Sequence, residues 1–213
     1  MIIKDNSRFY TKEGKGGRFY YKNDQDIPYP SVTTIIGQQK EQQFKKRSGS
    51  SPAMSIGTLV HYHILKRYSK ELLPMPHEAI WGVPRSEVQA RIARCLKMWN
   101  DLNLQISPIA IETALFCHDP QYAGRLDMLA RIGPEKELFL SDLKTGMQYP
   151  KDHAMQASAY WHALNRRPKV MFVYLDGILD RNPEQKAIVK IFTQEELEKG
   201  YEDFLDCYVE FQY

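Results

Sequence analysis

The chain has 213 residues, of which 43% are hydrophobic and 26% charged; this suits one globular domain with at most a small appendage and excludes wholesale disorder. No apolar run approaches the roughly 18 residues of a membrane-spanning helix, so no membrane partner is expected. The net charge of +3 is unevenly spread, because residues 1–50 hold ten Lys/Arg against five Asp/Glu.

That basic segment is also aromatic, with Phe9, Tyr10, Phe19, Tyr20, Tyr21, Tyr29 and Phe44. Cations meet phosphates and rings stack on bases, so the pattern suits nucleic acid. Residues 1–50 are therefore read as a DNA-binding hairpin and loop ahead of a core at 51–213. Within the segment, Ser7–Lys12 and Gly17–Lys22 read as strands around the turn Glu13-Gly14-Lys15-Gly16. Tyr29 to Ile36 is open to two readings, a short helix capped by Ser31 or a strand, because its β-branched residues serve either. Gln38 to Pro52 is polar and ends in Ser-Gly-Ser-Ser-Pro, which predicts a loop. The first ten residues carry Lys4, Asp5 and Arg8 where a signal peptide has an apolar run, so a cytoplasmic location is expected.

Met54 to Tyr68 reads as a helix, with Ile56, Val60 and Ile64 spaced by four. After a Pro-rich loop over 73–84, Ser86 and Gln89 form a capping-box pattern, followed by the apolar stripe Val88, Ile92, Leu96 and Trp99. Strands are predicted at Ile109–Cys117, Gly124–Ile132 and Leu138–Lys144, the last two around Gly133-Pro134-Glu135-Lys136. Asp152 suits the cap of a helix running to Arg167. Val170–Leu175 and Ala187–Phe192 read as a strand pair. Thr193 with Glu196 is a second capping box, opening a C-terminal helix. The sum is an α/β fold, a central mixed sheet with helices on its faces and an N-terminal β-hairpin extension. Cys95, Cys117 and Cys207 are too few for a four-cysteine iron–sulfur cluster, and free thiols are expected.

The informative piece is the hairpin Gly124-Arg125-Leu126-Asp127 … Ser141-Asp142-Leu143-Lys144. Partners in a simple hairpin sum to a constant, and folding at the Gly133–Lys136 turn sets Asp127 opposite Asp142. Asp142 and Lys144, two apart, share a face. Leu126, Met128, Ala130, Ile132, Phe139 and Leu143 are expected on the other face. Like charges directly opposite destabilise a sheet, and a divalent cation with a preference for oxygen ligands, magnesium or manganese, relieves that repulsion. A lysine beside such a pair can orient or deprotonate a water for attack on a phosphodiester.

These residues resemble the PD-(D/E)xK nuclease superfamily in its RecB-like exonuclease branch. Gly124-Arg125-Leu126-Asp127 is similar to that branch's G-x-x-D, with Leu-Asp where Pro-Asp is usual. Asp142-Leu143-Lys144-Thr145-Gly146 resembles its D-x-K-T-G, Gln156 to Tyr160 its Q-x-x-x-Y, and Gly57 to His61 its G-x-x-x-H. Tyr29-Pro30-Ser31-Val32-Thr33 resembles the P-S-V-T segment of mitochondrial genome maintenance exonucleases and their phage-like relatives. The resemblance implies a restriction-endonuclease-like fold and a metal-dependent DNA exonuclease acting on single strands from free ends. It implies Asp127, Asp142, Lys144, Gln156 and Tyr160 as catalytic residues. His61, Asp127, Asp142 and the Leu143 carbonyl would hold Mg2+ or Mn2+. Ser31, Thr33, Glu112, Gln156 and Tyr160 would contact DNA. His63 neighbours His61, but only His61 keeps the spacing from Gly57.

An endonuclease or nickase of the same fold is the main alternative, since it would share every one of these residues. A non-catalytic DNA-binding module is disfavoured by the complete set of side chains, and a glycosidase by Lys144 and the basic N-terminal segment. Replication or recombination proteins are the expected macromolecular partners besides DNA.

Overall fold

The protein was analysed as a computed structural model that describes residues 9–14, 17–22, 28–43, 52–76, 80, 82–146, 150–175 and 184–212. The expected α/β class is the one observed. A five-stranded sheet runs in the order β4 (Ile106–His118), β5 (Gln121–Ile132), β6 (Glu137–Lys144), β7 (Lys169–Tyr174) and β8 (Ile188–Ile191). Neighbours are antiparallel except β6 and β7, which are parallel and joined through α4 (Pro150–Ala163). A parallel pair needs such a crossover, which places α4 over one face of the sheet.

Two cores sandwich the sheet. On one face α4, α5 (Gln194–Gln212) and α1 (Val32–Gln43) bury Val32, Ile35, Tyr122, Leu126, Leu140, Val170, Phe172 and Phe204. On the other, α2 (Pro52–Leu65) and α3 (Arg85–Asp101) bury Leu59, Ile64, Val88, Trp99, Met128, Ala130, Phe139 and Leu143. Truncating a fully buried phenylalanine such as Phe204 to alanine costs about 3–5 kcal/mol.

The N-terminal hairpin is β1 (Phe9–Gly14) and β2 (Gly17–Lys22), with Lys15 and Gly16 of its expected turn outside the described residues; β2 also pairs with β3 (Tyr29–Pro30). Tyr20 and Tyr29 pack edge-on against Phe116 of β4 and are buried with Ala114 and Ala123. Two of the seven N-terminal aromatics are thus core residues, with no face left for a base. Tyr29 to Ile36 resolves as a short strand followed by a helix. Ser31 caps α1, its Oγ accepting the Thr34 amide at 3.0 Å.

Several expectations are corrected. The loop expected from Gln38 is helical through Gln43, and residues 44–51 lie outside the described set. Ser86 does not cap α3, which begins at Arg85 after Pro84, where the fixed proline φ of −57° already suits a helix start. The Asp152 helix begins two residues earlier, at Pro150, and ends at Ala163, followed by Asn165 and Arg166 in left-handed conformation. The Thr193 box forms as expected: the Glu196 amide donates to Thr193 Oγ1 at 3.2 Å, and the Thr193 amide donates to Glu196 Oε2 at 2.8 Å. No helix among the described residues is long and apolar enough to cross a membrane.

Candidate active site

The hairpin register is the one the turn dictates, with Ile132 opposite Glu137 and Met128 opposite Ser141. The ladder stops there, one pair short of Asp127 and Asp142. On its other side Asp127 is unpaired too. The β4–β5 ladder runs from Ile111↔Met128 to Thr113↔Leu126 and omits Glu112, which lies in left-handed conformation at φ 49°. This double interruption explains why Leu126 does not join Met128 on the α2–α3 face as alternation requires. The phase of β5 slips at Asp127, so Leu126 and Leu129 both face α4 and α5. Asp127 therefore sits at a break in the sheet that both helical layers can reach.

From one layer comes α2. His61 Nδ1 lies 3.4 Å from Asp127 Oδ1. Gly57, one turn earlier, lets the helix approach closely, since a Cβ there would fall 2.5 Å from Thr145 Oγ1. His63 turns away, beside the Tyr62 ring and along the groove between α2 and α3. From the other layer comes α4. Gln156 accepts from Lys144 Nζ at 2.7 Å and donates through Nε2 to Asp142 Oδ1 at 3.4 Å and to the Tyr160 hydroxyl at 3.3 Å. The Tyr160 ring lies where a Cβ on Gly124 would stand, which accounts for that glycine. The Lys144 ammonium rests 4.8 Å from the centre of the Phe172 ring, a cation–π contact. Sequence reasoning assigned Phe172 no part, because its pairing with Asp142 arises only through the α4 crossover.

The Asp127 carboxylate spans the break: Oδ2 accepts the Leu143 amide at 2.7 Å while Oδ1 faces His61. His61, Glu112 and Asp127 each offer a ligand atom within 4.8 Å of the others. Asp142 Oδ2 is buried and ion-paired with Lys144 Nζ at 2.6 Å; beyond that pair it has no hydrogen-bond partner among the described residues. A buried carboxylate oxygen met only by a lysine, beside a His–Glu–Asp cluster, is an oxygen-rich donor set that suits a divalent cation. The residues present therefore fit the metal expected from the sequence. Ser31 is buried under its capping bond and Thr33 is exposed at the start of α1.

The electrostatics follow from crowding. Burial pushes Asp142 up and Lys144 pulls it back, but Asp127 pushes again, and the carboxyl stands at about 6. Glu112 rises to about 7 through burial and the Asp127 charge, against Arg125. Burial would lower His61, but Asp127, with Asp142 and Glu112 behind it, holds the imidazole at about 9. Burial would raise Asp127, and the His61 charge, the Leu143 amide and Lys144 together keep it below the usual carboxylate range. Without a cation, the site keeps its negative charge down by taking up protons.

No family model and no curated protein matches the chain. A solved structure does. A candidate exonuclease from Eubacterium rectale superposes with a TM-score of 0.53, covering 86% of this chain and 80% of that one, at 8% identity. The likeness is one of fold. The alkaline exonuclease LHK-Exo from Laribacter hongkongensis covers 87% of this chain and 90% of its own at 13% identity, with a TM-score of 0.37.

Proposed function

We propose that this protein is a nuclease of the PD-(D/E)xK type, dependent on Mg2+ or Mn2+, that hydrolyses DNA phosphodiesters, taking single strands from free ends. The observation that carries the reading is the buried Asp142 carboxylate ion-paired with Lys144, across the sheet break from the Asp127–His61–Glu112 cluster.

His61, Asp127, Asp142 and the Leu143 carbonyl are the residues assigned to the cation, with Glu112 added by its position. A divalent cation held there would neutralise charge building on a phosphate oxygen and acidify a water. Lys144, held by Asp142 and Gln156, orients the attacking water and stabilises the negative charge of the pentacovalent phosphate. Gln156 and Tyr160 keep Lys144 and Asp142 in register from α4. The basic N-terminal segment and the resemblance of Pro30–Thr33 to end-requiring exonucleases support a single-stranded substrate. Replication or recombination partners and a cytoplasmic setting belong to the same reading.

The test is digestion of end-labelled linear and circular single-stranded DNA with magnesium, with manganese and with chelator. Linear strands should be degraded, circles spared, and both left intact in chelator. Cleavage of circles moves the protein to the endonuclease reading, and no cleavage with either metal overturns the nuclease assignment.

A further inference from the structure

The centre of the site concentrates Glu112, Asp127 and Asp142, and a polyanionic strand must approach it. Two arginines stand at its rim. Arg125, two residues before Asp127 on β5, is 46% exposed, and its guanidinium lies 3.4 Å from Glu112 Oε2. The left-handed backbone at Glu112 lets that carboxylate serve both Arg125 and the His61–Asp127 cluster. Arg18 arrives from the other sheet. Its backbone is fixed: the Ser31 amide donates to its carbonyl at 2.9 Å, and its own amide donates to Thr34 Oγ1 at 2.9 Å. Arg18 and Tyr20, two apart on β2, share a face, and Tyr20 is buried against Phe116; Ser31, whose amide holds the Arg18 carbonyl, bridges to Ala123, two residues before Arg125 on β5. Two arginines from separate sheets thus flank the Ser31–Ala123 bridge, one of them tethered to the acidic centre through Glu112.

We infer that Arg18 and Arg125 form a phosphate subsite at the rim of the acidic centre, taking an internal phosphodiester of the bound strand beside the one to be cut. The inference rests on the proposed nuclease reading. Arginine suits the task because its planar fork meets two phosphate oxygens at once. Neutralising one phosphate where the strand crosses onto the acidic centre offsets the repulsion that three carboxylates impose on the next. The anchored backbone of Arg18 and the Glu112 tether on Arg125 hold both near their working positions before DNA arrives, which lowers the ordering cost of binding.

The test is the salt dependence of binding of a fluorescent single-stranded oligonucleotide in chelator, where no cleavage interferes. Removing one phosphate-binding cation should flatten the log–log slope by about 0.7. Arg18→Ala and Arg125→Ala should each do so, and the double variant by about twice as much. Arg125→Lys should keep the slope, and Arg125→Gln replaces Arg125→Ala if the latter fails to fold. Lys97→Ala, a cation on α3 paired with Asp101, should leave the slope unchanged. The same flattening on strands with a 5′-hydroxyl and a 5′-phosphate would support an internal phosphodiester; flattening confined to the 5′-phosphorylated strand would overturn it. An unchanged slope in the double variant, an equal effect of Lys97→Ala, or no binding by the unaltered protein would also overturn the subsite. An active nuclease whose slope ignores both arginines sinks the subsite alone. The expected slopes from a protein that cuts nothing sink the nuclease reading alone.

Discussion

The Asp127 carboxylate takes the place of a ladder rung for Leu143: its Oδ2 accepts the Leu143 amide at 2.7 Å, just past the last backbone pair, Met128 and Ser141. One side chain thereby closes the hydrogen-bonding of a buried amide and presents its other oxygen to His61.

Asp127→Ala and Asp127→Asn should therefore differ in stability while both lose cleavage. The alanine leaves a buried amide without an acceptor, at a cost of about 1–3 kcal/mol. The asparagine keeps an oxygen for Leu143 and should stay close to the parent. Urea unfolding in chelator, alongside a magnesium cleavage assay, reads both. An alanine variant as stable as the parent would remove the rung from the account.

Lys144→Ala should lower turnover by about 10²-fold or more, the scale of a lost general acid–base group. Gln156→Leu removes one of the two acceptors that hold Nζ and should reduce kcat less, with little change in KM. Single-turnover cleavage at saturating magnesium separates the two. Full turnover in Lys144→Ala would make the lysine structural.

In chelator, stability should fall as pH rises from about 5 to 9. Asp142 and Glu112 have folded values raised from 3.8 to about 6 and from 4.5 to about 7, so their contributions are full below the unfolded values and lost as pH climbs through 6 and 7. His61, raised from 6.5 to about 9, adds a loss through pH 9. Asp127, lowered from 3.8, acts oppositely, and its contribution disappears only as pH falls below that range. Unfolding midpoints at pH 5, 7 and 9 check the trend, and His61→Gln should flatten its upper part. A profile level from pH 5 to 9 contradicts the assigned crowding.

Gly57→Ala should destabilise the junction of α2 with the end of β6, because the new methyl would meet Thr145 Oγ1 at 2.5 Å. Overpacking of this kind costs about 1–3 kcal/mol. Thr145→Ala removes the opposing hydroxyl and should restore most of the stability, giving a coupling that a double-mutant cycle measures. Additive effects would show that the two residues do not press on each other.

Local pattern determined much of this protein. The hairpin register followed from a single turn, Gly133–Lys136, because strand partners sum to a constant once the fold point is known. The Thr193–Glu196 box was equally legible, since capping acts within one turn, whereas the choice of His61 over His63 came only from the resemblance of Gly57–His61 to G-x-x-x-H. Tertiary structure decided the rest. The slip of β5 at Asp127, the left-handed Glu112 and the burial of Tyr20 and Tyr29 depend on what lies across a strand or beneath a sheet. So does Phe172 under Lys144. These contacts join residues far apart in the chain, and alternation or spacing carries no information about a partner that only packing brings near.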